Sequence, residues 1–255
     1  MSSFEPPRRH VLRRLLAGAV ATALAGCDAA SRSAWLPNIL KGGEHLNRGV
    51  QSRVAGRKAM AQEFDVADLS PDFRSNGTAR PASDEYAQLA ADNFAGWQLQ
   101  VDGLVRAPAS FSLAELRAMP RRTQITRHDC VEGWSAIGQW TGVPLKLILD
   151  RVAPLDNAQY VVFHCADTMG DGAPYYESID FDDAYHPQTI LAYGMNGQDL
   201  PIKNGAPLRA RIERQLGYKQ AKYIMRIELV ESLQTVGRGN GGYWEDRGYE
   251  WYAGI

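Results

Sequence analysis

A chain of 255 residues, 45% hydrophobic and 22% charged, has the length and composition of a globular protein with one large domain or two small ones. Its net charge of −1 gives no general case for binding nucleic acid or an anionic membrane. Three cysteines without a C-x-x-C or C-x-x-C-H motif argue against a covalently attached c-type haem and a thioredoxin-like site.

Arg8, Arg9, Arg13 and Arg14 precede the apolar run LLAGAVATALA, residues 15–25. That run is too short to span a bilayer and has the length of a signal-peptide core. It ends in LAGC, where small residues before Cys27 resemble a lipobox, and RRHVLR (8–13) resembles a twin-arginine export motif with Val11 in place of the usual Phe. Residues 1–26 therefore read as a signal peptide, with a plain secretory signal as the alternative. The expectation is a periplasmic protein held at the inner membrane by lipidated Cys27. Cys130 and Cys165 then remain, either paired as a disulfide or each held reduced for a reason.

Residues 27–85, rich in Ser, Arg, Gly, Pro and Asn, read as a tether and an extended arm, with the ordered core starting near Asp84. WQLQVDGLV (97–105) alternates as a strand ending in an Asp-Gly turn. SLAELRAM (112–119) opens with Ser112 and Glu115 at capping-box spacing and stops at Pro120, which predicts a short helix. RTQITRHDC (122–130) reads as a strand running into a loop, and VPLKLILDRV (143–152) as a helix with Pro144 just inside its start. QYVVFHC (159–165) reads as a buried strand. TILAYGMNG (189–197) is a strand or short helix ending in an Asn-Gly turn. AKYIMRIELVE (221–231) alternates, with Tyr223, Met225, Ile227 and Leu229 on one face. Short helices among many strands imply an α+β domain over 86–235. In the tail 236–255, GRGNGG lacks the helix a dinucleotide loop needs, and the aromatic end reads as a strap packed on the core.

Two features carry chemistry. RHDCVEGWS (127–135) places Cys130 among charged residues, where it is open to reading as half a disulfide, a nucleophile, a metal ligand or a buried hydrophobe. A zinc set of His128, Cys130, His164 and Cys165 is hard to build, because adjacent His164 and Cys165 point to opposite faces of a strand. The second feature is basic. Lys203, Arg209, Arg211, Arg214, Lys219, Lys222 and Arg226 face only one acid in their stretch, Glu213, a local net charge of +6. Interleaved with turn-forming NGAP and LGYK, these cations suit a phosphate or pyrophosphate as well as a solvated face.

RHDCVEGWS, GQWTGVPL (138–145), LAYGMNGQDLPIKNGAPLR (191–209) and GYKQAKYIMRIEL (217–229) together resemble the molybdopterin-binding domain of the sulfite oxidase family, over about residues 93–235. Cys-Val-Glu-x-Trp-Ser is most similar to the bacterial periplasmic methionine sulfoxide reductase catalytic subunits. The resemblance implies a molybdenum–molybdopterin cofactor with Cys130 as the thiolate ligand, which Arg127 and His128 would favour. It implies cofactor contacts from Asn204, Arg209, Gln220, Ala221 and Lys222, with Cys165, His128 and Asn93 as further contacts. It implies two-electron oxo transfer on a small oxo compound such as a sulfoxide, a redox partner that is a membrane haem protein or cytochrome, and a monomer. Gly133, Trp134 and Ser135 replace the cationic segment of sulfite oxidases, which argues against sulfite. The other reading is a non-catalytic lipoprotein that binds a phosphorylated pterin-like ligand, with Cys130 and Cys165 disulfide-bonded. Glu132 reads as an acid or base near the metal or as the salt-bridge partner of a nearby Arg, and Tyr175, Tyr176 and Glu177 in their turn-rich stretch read as lining of the substrate mouth or as plain surface residues.

Overall fold

In the computed structural model, which describes residues 59–255, two five-stranded sheets enclose the core. The first runs in the order β2-β1-β10-β5-β6, built from β1 (Gln98–Gly103), β2 (Ala109–Ser112), β5 (Tyr160–Thr168), β6 (Pro174–Asp180) and β10 (Ile224–Val230). Its β1–β10 pair is parallel and its other pairs antiparallel. The second runs β3-β4-β7-β8, from β3 (Arg122–Cys130), β4 (Trp134–Pro144), β7 (Ile190–Met195) and β8 (Gln198–Asp199), with β9 (Arg209–Arg211) also on β7. The expected α+β class is what the chain adopts. The signal peptide and Cys27 lie outside the described residues.

Among the described residues four short α-helices accompany the sheets: α1 (Asp84–Ala91), α2 (Leu113–Ala118), α3 (Leu145–Val152) and α4 (Phe181–Ala184). Ser112 and Glu115 form the expected reciprocal capping box on α2. Helix α3 buries Leu145, Ile148, Leu149 and Val152, the i, i+3, i+4, i+7 stripe of a core-facing helix. Pro144 caps α3 rather than occupying its first turn, because it still pairs with Ile190 as the last residue of β4.

Two strands depart from the sequence expectation. RTQITRHDC is strand to its last residue, paired with β4 from Arg122 opposite Gly142 to Cys130 opposite Trp134. Period-two alternation then turns Gln124, Thr126, His128 and Cys130 inward. In β10 a register shift between Ile224 and Arg226 breaks the alternation, so Ile224 joins Ile227 and Leu229 in the core and Met225 is only half-buried.

The arm packs before Asp84. Glu63 bridges to Thr126, the Gln188 amide pairs with the Ala61 backbone at 2.7 and 3.0 Å, and Phe73 meets Trp140 edge-on at 5.2 Å. The arm therefore reaches the hairpin that carries Cys130.

Candidate active site

Cys130 sits at the tip of the β3–β4 hairpin, whose turn needs a left-handed residue and has Gly133 at φ 84°. Its thiol borders a solvent-open cleft of about 650 Å³. The arm contributes Asn76, Gly77 and Thr78, the β5–β6 hairpin Asp167, Met169 and Tyr175, and the basic segment Tyr218, Gln220 and Lys222. Val131 and Glu132 flank the thiol, and Trp244 and Tyr249 of the tail close the rim.

The basic segment divides into paired and unpaired cations. Arg211 is fully buried against Glu213, with nitrogen–oxygen distances of 3.0 and 2.6 Å. Lys219 is buried between Glu177 and Glu245. Arg226 lies between Asp102 and Glu228 on a half-exposed sheet face. Arg209 and Lys222 differ: among the described residues neither has a carboxylate within ion-pair distance. Arg209, with no exposed surface, donates to the carbonyls of Asn204 at 2.8 Å and Gln220 at 3.4 Å. Lys222 donates to Ser75 Oγ and to the carbonyls of Thr78 and Lys203. Burial, then the neighbouring Arg211, lowers the Arg209 pKa to about 9; burial, then Arg209, lowers that of Lys222 to about 7. Holding two such cations out of water costs several kcal/mol each in effective terms, roughly, and an anion in the cleft offsets that cost.

Polar atoms without partners mark the same place. Buried polar groups are normally bonded, yet among the described residues Arg209 Nε, Asn204 Nδ2 and Asp167 Oδ1 have no partner. Their mixture of donors and acceptors beside two unpaired cations and a thiol fits an anionic, heteroatom-rich organic group with a thiophilic metal.

The residues expected at the site sort into three groups. Cys130, Gln220 and Lys222 line the cleft. Asn204, Arg209, Ala221 and His128 are buried behind its wall, Ala221 holding β9 by accepting the Ala210 N–H at 2.8 Å. Cys165 pairs across to Ile224 and does not line the cleft. Asn93 is exposed in the turn after α1, at φ 48°, and does not line it either. The asparagine in the cleft is Asn76, which donates to the Gly217 carbonyl at 3.4 Å. Nothing in the irregular stretch around Asn76 singled it out.

Three expectations are corrected. Cys130 and Cys165 are both free thiols, one at a hairpin tip in one sheet and one inside a strand of the other, so the disulfide of the binding-module reading is absent. Arg127 does not favour a thiolate: it points to the outer face of β3 and pairs with Asp129 at 2.9 Å. Nor does His128, which burial and then Arg211 keep neutral; burial is also the main cause that raises the Cys130 pKa. A thiolate here therefore depends on a bound metal. His164 turns away from Cys130, to Glu228 at 2.9 Å. Of the mouth candidates, Tyr175 lines the cleft and donates to the Tyr218 carbonyl, while Tyr176 and Glu177 anchor the tail instead.

The Cys130 thiol at the cleft, a cation pair without carboxylate partners among the described residues and unpartnered polar atoms form a site suited to an anionic cofactor. Comparison with known proteins places it: the family model for the oxidoreductase molybdopterin-binding domain matches residues 86–235, and the chain belongs to that family of oxidoreductases. A protein-methionine-sulfoxide reductase subunit named YedZ1, of Azospira oryzae, is 37% identical over 98% of this chain and 88% of its own length. The protein-methionine-sulfoxide reductase catalytic subunits MsrP of Ralstonia nicotianae and Xanthomonas campestris are 37% and 40% identical, over 66% and 54% of this chain. The chain spans about half the length of these two, 53% and 46%. Among solved structures, the sulfane dehydrogenase SoxCD of Paracoccus pantotrophus matches with a TM-score of 0.49 and 20% identity, over 54% of this chain and 39% of that one.

Proposed function

We propose that this chain is an exported molybdenum enzyme that reduces a sulfoxide, with methionine sulfoxide in a polypeptide as the substrate class. The observation that carries the reading is the Cys130 thiol bordering the cleft into which Lys222 opens, with Arg209 buried behind it and neither cation paired to a carboxylate among the described residues. The names of the relatives supply the sulfoxide. The cleft lining includes apolar and aromatic Val131, Met169, Tyr175, Trp244 and Tyr249 together with the carboxylates Glu132 and Asp167. Such walls suit a neutral sulfoxide better than a sulfite dianion, in keeping with Gly133–Ser135 beside the cysteine.

When bound, a molybdenum–pterin group supplies a two-electron couple linked to oxo transfer. Cys130 would hold its metal, while Arg209, Lys222, Asn204 and Gln220 would hold its anionic and polar portions. Reduction of a sulfoxide to a thioether releases the oxygen as water and consumes two electrons and two protons. Glu132 stands at the cleft with its carboxylate accepting the Trp134 indole N–H at 2.9 Å, which orients it to pass a proton from solvent. The electrons come from a separate redox protein, for which a membrane haem protein or a cytochrome is the class we propose; the word subunit in the name of the Azospira relative supports a partner. The signal-like N-terminus and LAGC support a periplasmic location with Cys27 as a lipid anchor.

The test is turnover by protein purified from a host that makes molybdopterin. Reduced viologen should be oxidised on addition of a methionine-sulfoxide peptide and not on addition of the same peptide with methionine. Molybdenum-loaded protein that leaves viologen reduced contradicts the proposal.

A further inference from the structure

The tail is built into the site. Residues 237–253 leave the sheet after β10, cross the β5–β6 hairpin and return to the basic segment, held throughout. Asp246 accepts from the backbone N–H groups of Arg238 at 2.6 Å and Asn240 at 3.0 Å, and from the Tyr176 hydroxyl. Arg247 pairs with Asp171 and lies 3.5 Å from the centre of the Tyr243 ring, whose hydroxyl also reaches Asp171 at 3.1 Å. Tyr218 donates to the Glu250 carbonyl at 2.6 Å, and the Leu216 N–H to that of Ala253 at 2.9 Å.

One anchor is buried. Glu245, in the single 3-10 turn Glu245–Arg247, shares the Lys219 ammonium with Glu177 of β6, and all three side chains are at most 1% exposed. The approach demands glycine at 242, where a Cβ would lie 2.0 Å from Glu245 and 2.8 Å from Glu177. Three buried ionisable groups have no use in a surface tail unless its position matters.

That position puts Trp244 and Tyr249 on the cleft rim with Cys130. Their rings stack at 5.2 Å with 26° between planes, and Tyr218 meets Tyr249 edge-on at 5.2 Å. Tyr249 keeps 38% of its surface exposed and Val131, beside the thiol, 46%. The mouth therefore has apolar lips open to solvent above a polar floor. Aromatic faces attract the polarisable sulfur of a thioether or sulfoxide.

We propose that the Trp244–Tyr249 pair is the specificity element for the substrate, receiving the sulfur-bearing side chain and its flanking backbone, and that Glu177–Lys219–Glu245 is the positioning element that holds the pair at the rim. This rests on the sulfoxide reading. The pair acts on capture of a large substrate and leaves the chemistry at Cys130 untouched.

The experiment compares a methionine-sulfoxide peptide with dimethyl sulfoxide on molybdenum-loaded wild type, Trp244→Ala, Tyr249→Ala and Glu245→Gln. Wild type is expected to reduce both. Each aromatic variant should raise KM for the peptide about tenfold, with metal content unchanged and KM for dimethyl sulfoxide raised several-fold less, because that substrate has no flanking backbone to receive. Glu245→Gln should do the same more weakly and expose 237–253 to limited proteolysis. Unchanged peptide KM in both aromatic variants, or an equal loss on both substrates, overturns the specificity assignment while the sulfoxide reading stands. A wild type that carries molybdenum and reduces neither substrate overturns both. Protection of 237–253 in Glu245→Gln equal to wild type overturns the positioning role alone.

Discussion

Arg211 Nη1 lies 3.0 Å from Nδ1 of His128, and that bond fixes the imidazole. A guanidinium can only donate, so Nδ1 accepts and the proton resides on Nε2. The Nε2–H faces the Gln220 side chain and packs against Gly217, where a Cβ would come within 2.5 Å of it. Arg211 is itself held by Glu213, which also accepts from Gln124 at 2.8 Å, so the chain of bonds runs back through β3 to Gln188 and the arm. Nitrogen-15 NMR of the apoprotein should show His128 as the neutral Nε2–H tautomer. In Arg211→Met that signature should be lost and the protein should unfold about 3–5 kcal/mol more easily, because Glu213 is left buried without its partner. A wild-type His128 in the Nδ1–H form contradicts the assignment.

Lys222 makes the apoprotein pH-sensitive. Its pKa is about 7 folded and near 10.4 unfolded, roughly. Between those values the unfolded chain binds a proton that the folded chain lacks, so this group adds stability as pH rises through that window and adds none below about 7. Arg209, at about 9, acts in the same sense at higher pH. Denaturant midpoints of apo wild type minus those of apo Lys222→Met should rise between pH 6 and pH 9, with the variant the more stable at pH 6. Inorganic phosphate should stabilise wild type more than Lys222→Met. A flat difference across that range would show that Lys222 is solvated or already paired.

Gly142 tests the sheet contact behind the hairpin. A Cβ there would fall 2.2 Å from the Leu191 carbonyl oxygen and 2.6 Å from Ala192 Cα, both backbone atoms that cannot rotate aside. Gly142→Ala should destabilise by about 1–3 kcal/mol and lower the thermal midpoint, with the far-ultraviolet spectrum retained. A midpoint equal to wild type contradicts the β4–β7 packing.

The places of β1, β3, β5, β10 and α2 follow from alternation, apolar runs and capping that local sequence displays, whereas β2, β4, β6, β8 and β9 and the order of strands in the sheets do not. Cys130 and Lys222 stand out in one dimension as a thiol and unneutralised charge, whereas Gln220 came from the family resemblance alone; all three line the cleft. Pairing across space was not legible. The partners of Lys219 are Glu177 and Glu245, 42 and 26 residues away, so the +6 segment overstated the cations free for a ligand. The β10 bulge is a backbone event that period-two reading cannot register. Asn76 lies in an irregular arm that gives no periodic signal, and Asn93 resembled a contact only by type and rough position. The tail showed its aromatic character in sequence, but which rings face the cleft depends on anchors at Asp171, Tyr176 and Lys219.

The central claim is that Cys130 binds molybdenum in this cleft, and X-ray absorption at the molybdenum edge measures it most directly. Wild type purified from a molybdopterin-producing host should carry molybdenum near one atom per chain, and Cys130→Ser should lose one sulfur neighbour from the metal or lose the metal. Wild type without molybdenum, or a Cys130→Ser protein with undiminished loading and an identical sulfur count, would contradict it.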